Sequence, residues 1–441
     1  MAHPYLPHTD ADIEKMLGVC GLKSLDDLLS VIPGELRLSR PYKLPEAMSE
    51  PEVRRFFESL ARKCQPLTCF AGNGFYDHWT PSAILSLIAR SEFLTAYTPY
   101  QPEISQGTLQ YIFEYQTIMS RLTGLPISNA SLYDGATATA EAALMMVASA
   151  RKKNRVLISA TVNKAVREVV ATYCKYHGAS LTEVAEADGV TSRQAISAEL
   201  AKGDVAGVIV ATPNRYGIVE DYTGLADEVH AVKALLAVNC VASTLAILKT
   251  PGQWGADIAV GDAQSLGMPL SFGGPYLGFM TATSALMRKI PGRIVGATTD
   301  ANGQRSFVLT LQAREQHIRR EKATSNICSN QGLMALFAAA YTSLVGEKGL
   351  QEINRQGAAA VRALVGRLEA TGKFSKAFPT RPFLNEVALK TSVNIDELLQ
   401  RLADNDILGG VKIADDMLLV AATEMQSADD IDRYAAIAAQ L

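Results

Sequence analysis

Apolar positions change their rhythm twice along the chain. Up to about residue 65 they recur at helical spacing: Ile13, Met16 and Leu17, then Leu25, Leu28, Leu29 and Ile32, with Pro33-Gly34 as a stop. Pro41, Pro45 and Pro51 punctuate the following arm, and Val53, Phe56, Phe57, Leu60 and Ala61 mark another amphipathic helix. This stretch carries too little core to stand alone and is expected to clasp something else, with a partner subunit as one candidate. From about 66 to 290, short β-branched runs alternate with helical stretches. Arg155–Ile158 precedes a helix over Val162–Tyr176, and Ser180–Val184 precedes one over Arg193–Ala201. Val205–Val210, a helix over Tyr222–Lys233, Leu235–Val238, Ala256–Val260 and Tyr276–Met280 complete the series. Continuous apolar strands separated by helices predict an α/β domain with a mostly parallel sheet covered on both faces. In such sheets ligands sit beyond the carboxyl ends of the strands. The remainder, 291–441, reads as a small α+β unit. Its elements are an apolar helix over Leu333–Val345, a longer one over Leu350–Glu369, a strand near Phe383–Leu389, and a helix from Asn394 with Glu397 reaching back. The strands Val411–Ile413 and Leu418–Ala421 and a final helix capped by Ser427 and Asp430 follow. The expected organisation is an arm (1–65), a large domain (66–290) and a small domain (291–441).

Composition narrows the function classes. The 441 residues are 48% hydrophobic and 20% charged, which fits a folded globular chain and excludes a disordered one. A net charge of −3 offers no field for nucleic acid or an anionic membrane. The longest apolar run, Ala142–Ala150, ends at a basic triplet far short of the ~20 residues that span a bilayer. The N-terminus lacks the layout of a secretory signal, and the six cysteines show no CxxC or metal-ligand spacing. Free thiols, a cytoplasmic location and no bound metal are expected.

Four stretches carry candidate chemistry. Asn129–Thr139 runs Gly and small hydroxyl residues into a helix, so Asp134, Gly135 and Thr137 stand where backbone N–H groups cradle a phosphate; an ordinary helix cap reads equally well. Asp257–Gly267 takes a buried strand into a polar loop holding Asp262, Gln264 and Ser265, and Gly273-Gly274 beyond it reads as a turn. Thr310–Cys328 places Arg314, Glu315, Arg319 and Arg320 ahead of Thr324, Ser325 and Asn326. A solvated face with Glu315 paired to Arg319 competes there with an anion-binding helix entrance. Gly72–Pro81 and Thr95–Glu103 are dense in Gly, Pro and aromatics, with His78, Tyr97, Thr98 and Tyr100 among them. Such rigid loops line clefts or simply pack, and a lone histidine is more often structural than a base. No GxGxxG or GxxxxGKS pattern occurs.

Together, Thr95–Glu103, Asn129–Ala136, Gly255–Ile258 and Leu311–Cys328 resemble the P-protein of the glycine cleavage system, in its amino-terminal half, which many bacteria encode as a separate subunit 1. The resemblance runs the length of the chain. It implies fold type I of the pyridoxal-phosphate (PLP) enzymes, the aspartate-aminotransferase type, in agreement with the large and small domains already read.

That fold holds PLP through a lysine just after the Gly-Ala-Asp strand and keeps the ring nitrogen protonated with an Asp on an earlier strand. Matching the pattern puts Ser265 at the lysine position and Asn239 at the end of the strand that carries the Asp, with Asn163 where a ring-stacking His is expected. The resemblance therefore implies a chain without its own coenzyme lysine. A homologous second subunit, in an expected α2β2 heterotetramer, would hold PLP, bind glycine and release CO2, and the aminomethyl group would pass to the lipoamide of H-protein. Tyr97, Thr98, Tyr100, His78, Arg314 and Arg319 are the expected lining residues. Thr324, Ser325, Asn326, Asp134, Gly135 and Thr137 are the expected coenzyme contacts. Two alternatives stand beside this reading. One is a purely structural partner; the other is a self-sufficient PLP enzyme of another class using Lys164 or Lys322.

Overall fold

The computed structural model describes residues 5–441 apart from Arg151 and Thr324, and not the side chain of Arg314. The chain divides into two compact units, Met1–Gln65 and Pro66–Leu441. In the first, the helices Asp10–Val19, Leu25–Leu28 and Glu50–Ala61 each begin with a reciprocal cap: Thr9 with Asp12, Ser24 with Asp27, Ser49 with Glu52. These hydroxyl and carboxylate pairs satisfy N–H groups that a helix start leaves free.

The second unit is built on a seven-stranded sheet. Its strands are β1 (Ile127–Ser128), β2 (Arg155–Ser159), β3 (Ser180–Val184), β4 (Val205–Thr212), β5 (Leu235–Cys240), β6 (Ile258–Asp262) and β7 (Gly278–Ala282). The spatial order is β1-β7-β6-β5-β4-β2-β3, with β7 antiparallel to both neighbours and the other pairs parallel. All eight residues of β4 are buried, as its unbroken apolar sequence requires of a strand covered on both faces. Alternate side chains feed two separate cores. Val208 and Val210 pack with Tyr115 and Met119 of the helix Gln106–Thr123. Ile209 and Ala211 pack with Ala142 and Met146 of the helix Gly135–Ser149. β7 starts two residues later than the apolar run suggested, because Tyr276 and Leu277 belong to the preceding loop.

After residue 290 a hairpin, Ile294–Thr299 with Arg305–Thr310, lies against the helix Gln106–Thr123. Two glutamines of that helix imitate extra ladder rungs. Gln116 exchanges both its amide hydrogen bonds with the backbone of Val295 and Gln106 binds both groups of Phe307, at 2.9 Å each. The two helices expected after 332 both form within Gly332–Ala370, parted by a kink at Gly346, whose φ of 62° and ψ of −177° are not helical. A four-stranded antiparallel sheet follows, in the order Phe374–Lys376, Glu386–Thr391, Met417–Ala421, Val411–Ala414, with the helices Ile395–Ala403 and Ala428–Ala439 on it. Asn394 caps the first by accepting from the N–H groups of Asp396 and Glu397, but Glu397 does not reach back; its carboxylate pairs with Arg401 one turn on, at 2.7 Å. Ser427 and Asp430 cap the final helix as expected. Among the described residues no helix is long and apolar enough to cross a membrane.

Candidate functional site

A cleft of about 590 Å³ opens where β4, β5 and β6 end, bounded by the aromatic loop 72–76, the helix start at Gly135 and the small sheet at Glu386. Asp134 caps that helix by accepting from Thr137 N–H at 2.8 Å. The next free donor, Gly135 N–H, is taken by Asp262 Oδ2 at 3.0 Å, while Asp262 Oδ1 accepts from Gln264 N–H at 2.8 Å. The approach is close enough that a Cβ on Gly135 would meet Asp262 N at 2.7 Å. Two carboxylates of the chain thus stand at the helix start that the sequence marked as a phosphate cradle. Burial pushes the Asp262 carboxyl up to about 6, against the N–H groups that favour its anion.

The strand exit leaves the cleft at Ser265. This residue is buried, and its Oγ accepts from Ser243 N–H at 3.0 Å in the loop after β5. Its neighbour Gln264 stitches the aromatic loop to the strand, accepting from Tyr76 N–H at 3.0 Å and donating to Tyr76 O at 2.8 Å. Asn239, at the end of β5, donates to Thr139 Oγ1 at 2.8 Å, and Asn163 donates to Asn73 O at 3.0 Å. Local patterning carries no sign of Glu386. It is 3% exposed, and its carboxylate accepts from Asn73 N–H and, at 3.1 Å, from Tyr76 O–H. Burial raises its carboxyl to about 7. His78 is buried away from the cleft lining, with Nδ1 2.9 Å from Glu424 Oε2. Burial works against ionisation of Glu424, but the hydrogen bond and charge of His78, with Trp79 N–H, outweigh it and hold the carboxyl below its ordinary value.

The remaining candidates gather elsewhere in the unit. Tyr97 is 81% exposed and lies 6.2 Å, ring to ring, from Tyr100; Thr98 is half-buried beside them. Ser325 and Asn326 line a second cavity of about 410 Å³ with Tyr133, Glu141 and Tyr173. Burial lifts the Glu141 carboxyl to about 7 despite a hydrogen bond from Ser325. The charge run is not the expected helix face. A single α-helical turn forms, Gln316–Arg319, between the 3-10 turns Gln312–Arg314 and Arg320–Lys322, and it ends at Arg320 with φ 53°. Glu315 therefore does not pair with Arg319; it lies 3.5 Å from His317, and Arg319 Nε donates to Ala313 O at 3.3 Å. Thr324 and the Arg314 side chain lie outside the described residues. Lys164 and Lys322 are both exposed, neither lining the cleft. All six cysteines are unpaired.

A mostly parallel seven-stranded sheet with one antiparallel strand near its edge, a cleft at the strand ends and a small antiparallel sheet beside it define fold type I of the PLP-dependent enzymes. Distant solved structures share that fold. An alanine–glyoxylate aminotransferase from Nostoc is 15% identical with a TM-score of 0.61, over 92% of this chain and 98% of that one. A sphingosine-1-phosphate lyase from Burkholderia pseudomallei is 13% identical with a TM-score of 0.67, over 93% and 94%. Much nearer is a crystal structure of glycine decarboxylase (P-protein) of the glycine cleavage system, 39% identical, TM-score 0.87, covering all of both chains. The family model described as glycine cleavage system P-protein matches residues 3–437, and the chain belongs to that family. Relatives described as probable glycine dehydrogenase (decarboxylating) subunit 1 include that of Moorella thermoacetica, 46% identical over 98% of both chains, and that of Nitrosomonas europaea, 44% identical over 99% and 98%.

The residues of this cleft do not suit the coenzyme the fold implies. The phosphate would face Asp134 and Asp262 on the N–H groups it needs, Asn239 offers no charge to a protonated ring nitrogen, and the Ser265 side chain is committed to Ser243.

Proposed function

We propose that this chain is the subunit of a glycine decarboxylase that does not itself carry the coenzyme, acting with a homologous lysine-bearing subunit in an α2β2 assembly. The whole enzyme would take glycine, release CO2 and pass the aminomethyl group to the lipoamide of H-protein, with PLP resident in the partner as the electron sink. The observation that carries this reading is Ser265, at the position the resemblance gives to the coenzyme lysine: its hydroxyl is buried and accepts from Ser243 N–H. The full-length similarity to subunits 1 of glycine dehydrogenases supports it.

On this reading the chain contributes from its exposed loops rather than from its own cleft. Tyr97 and Tyr100 present hydroxyls and ring faces to the neighbouring site, and Thr98 fixes their turn by accepting Tyr100 N–H on its carbonyl at 2.8 Å. Ser325 and Asn326, with Thr324 from the sequence, offer hydrogen-bond donors to an anion, and Arg319, with Arg314 from the sequence, offers counter-charge. Asp134 and Asp262, by contrast, keep the helix start of this chain closed to phosphate, and His78 with Glu424 serves packing.

The test has two arms. The purified chain mixed with PLP and then borohydride should retain no coenzyme, and a fixed pyridoxyl adduct on any of its lysines would overturn the reading. Recombined with a lysine-bearing partner and H-protein, it should support exchange of the glycine carboxyl with bicarbonate, and Tyr97→Phe and Ser325→Ala should each lower that rate. Normal exchange in both variants leaves a scaffold without a part in the site.

A further inference from the structure

Arg293 is 4% exposed, between Pro291-Gly292 and the hairpin strand Ile294–Thr299. Its Nη2 donates to Tyr100 Oη at 3.2 Å and to Cys328 O at 2.6 Å, and the guanidinium carbon lies 5.4 Å from the Tyr100 ring centroid. Its backbone carbonyl accepts from Ala130 N–H at 2.8 Å, tying it to the segment that leads to Tyr133. Nε and Nη1 have no hydrogen-bond partner among the described residues, although Glu315 Oε2 is 4.0 Å from Nε. Charged donors left buried and unused are strongly unfavourable, so a native structure keeps them only when something uses them.

One side chain thus joins three segments that are far apart in sequence: the Tyr97–Glu103 loop, the turn at Glu315 and the loop ending at Cys328. These are the segments that the proposed function places at the neighbouring subunit's site, and the inference rests on that reading. We propose that Arg293 is a positioning residue for that site. It sets the Tyr97–Tyr100 loop against the Ser325–Cys328 loop, and its spare Nε–H closes on the Glu315 carboxylate when the lysine-bearing subunit docks. A fork of fixed donors suits this task, because a lysine offers one point charge and cannot hold Tyr100, Cys328 and Glu315 together.

Amide hydrogen exchange on the chain alone tests the clamp without any assumption about activity. Arg293→Lys should speed exchange at residues 97–104 and 323–329 together, and unchanged protection in both loops would overturn the proposal. The assembled enzyme tests the function. If the wild-type chain with its partner shows no glycine–bicarbonate exchange, the proposed function fails and the exchange data on Arg293 still stand. If it is active, Arg293→Lys should raise the glycine KM or lower kcat by roughly tenfold, as expected for reacting groups displaced by a fraction of an ångström. Glu315→Gln, which keeps size and removes the charge, should reproduce that loss, and the double variant should be no worse than either single one. Kinetics of the assembled complex unchanged in Glu315→Gln, or a change confined to melting temperature and assembly, would make Arg293 merely structural and sink the inference.

Discussion

Replacing Glu386 by Gln isolates the energetic role of the carboxylate at the mouth of the cleft. Its oxygens accept from Asn73 N–H and Tyr76 O–H, and nothing cationic is paired with it among the described residues. An ionised carboxylate so placed is disfavoured by burial, which is why its carboxyl titrates at about 7 instead of 4.5. Because the folded-state value is the higher one, the folded protein binds the proton more tightly than the unfolded chain. Stability is therefore fully present below the unfolded value of 4.5 and is lost as the pH rises through about 7. Integrated between about pH 5 and pH 8, with about 1.4 kcal/mol per pKa unit, that loss is about 2–3 kcal/mol. A glutamine in this place would reproduce the protonated pattern, its amide oxygen accepting from Asn73 N–H and its amide nitrogen donating to a reoriented Tyr76 hydroxyl. Urea unfolding of both proteins across this range should then show the variant gaining on the wild type by that amount as the pH rises. The raised carboxyls of Asp262 and Glu141 are common to both and cancel in the difference. Parallel curves would show that Glu386 is not ionised under a burial penalty, and the reasoning from its surroundings would fall.

Other outcomes follow from the same geometry. Gly135→Ala pushes a methyl against Asp262 N at 2.7 Å and Gly261 C at 2.8 Å and should cost about 1–3 kcal/mol, read as a lower urea midpoint; no change would mean the helix start is not packed on the strand. Ser265→Lys supplies the amine that the proposed function takes to be missing, but not the cradle, so it should destabilise the chain and still retain no coenzyme after borohydride; a visible band would show the cleft to be open. A thiol reagent should titrate Cys20, Cys64 and Cys328 quickly in the native protein and the buried Cys69, Cys174 and Cys240 only on unfolding, since burial also raises those three thiols. Six fast thiols would contradict the burial of β5 and its neighbours.

Much of the large sheet was legible because its strands are continuous apolar runs: Val205–Val210 reads as a covered strand, and the observed one runs on to Thr212. The helix at Gly135 was marked by Asp134 and Thr137, which do cap it. What escaped was set by distance along the chain. Glu386 meets Asn73 and Tyr76 across more than 300 residues, and Arg293 meets Tyr100 and Cys328 through tertiary packing, so neither leaves a local pattern. The Glu315–Arg319 pair failed for the opposite reason. Spacing alone suggested it, but the helix it needs stops after one turn at Arg320. Gly346, by contrast, parts the two helices where sequence spacing suggested an end.

The carboxylate of Asp262 on Gly135 N–H also bears on how the subunit comes into being. If the coenzyme resides in the partner, as proposed above, a fold that supplies its own anion at the helix start has no need to wait for a vitamin before it is complete. On the proposed function, vitamin B6 starvation should leave this polypeptide to accumulate in finished form, and the supply of loaded partner chains would set how much working enzyme a cell assembles.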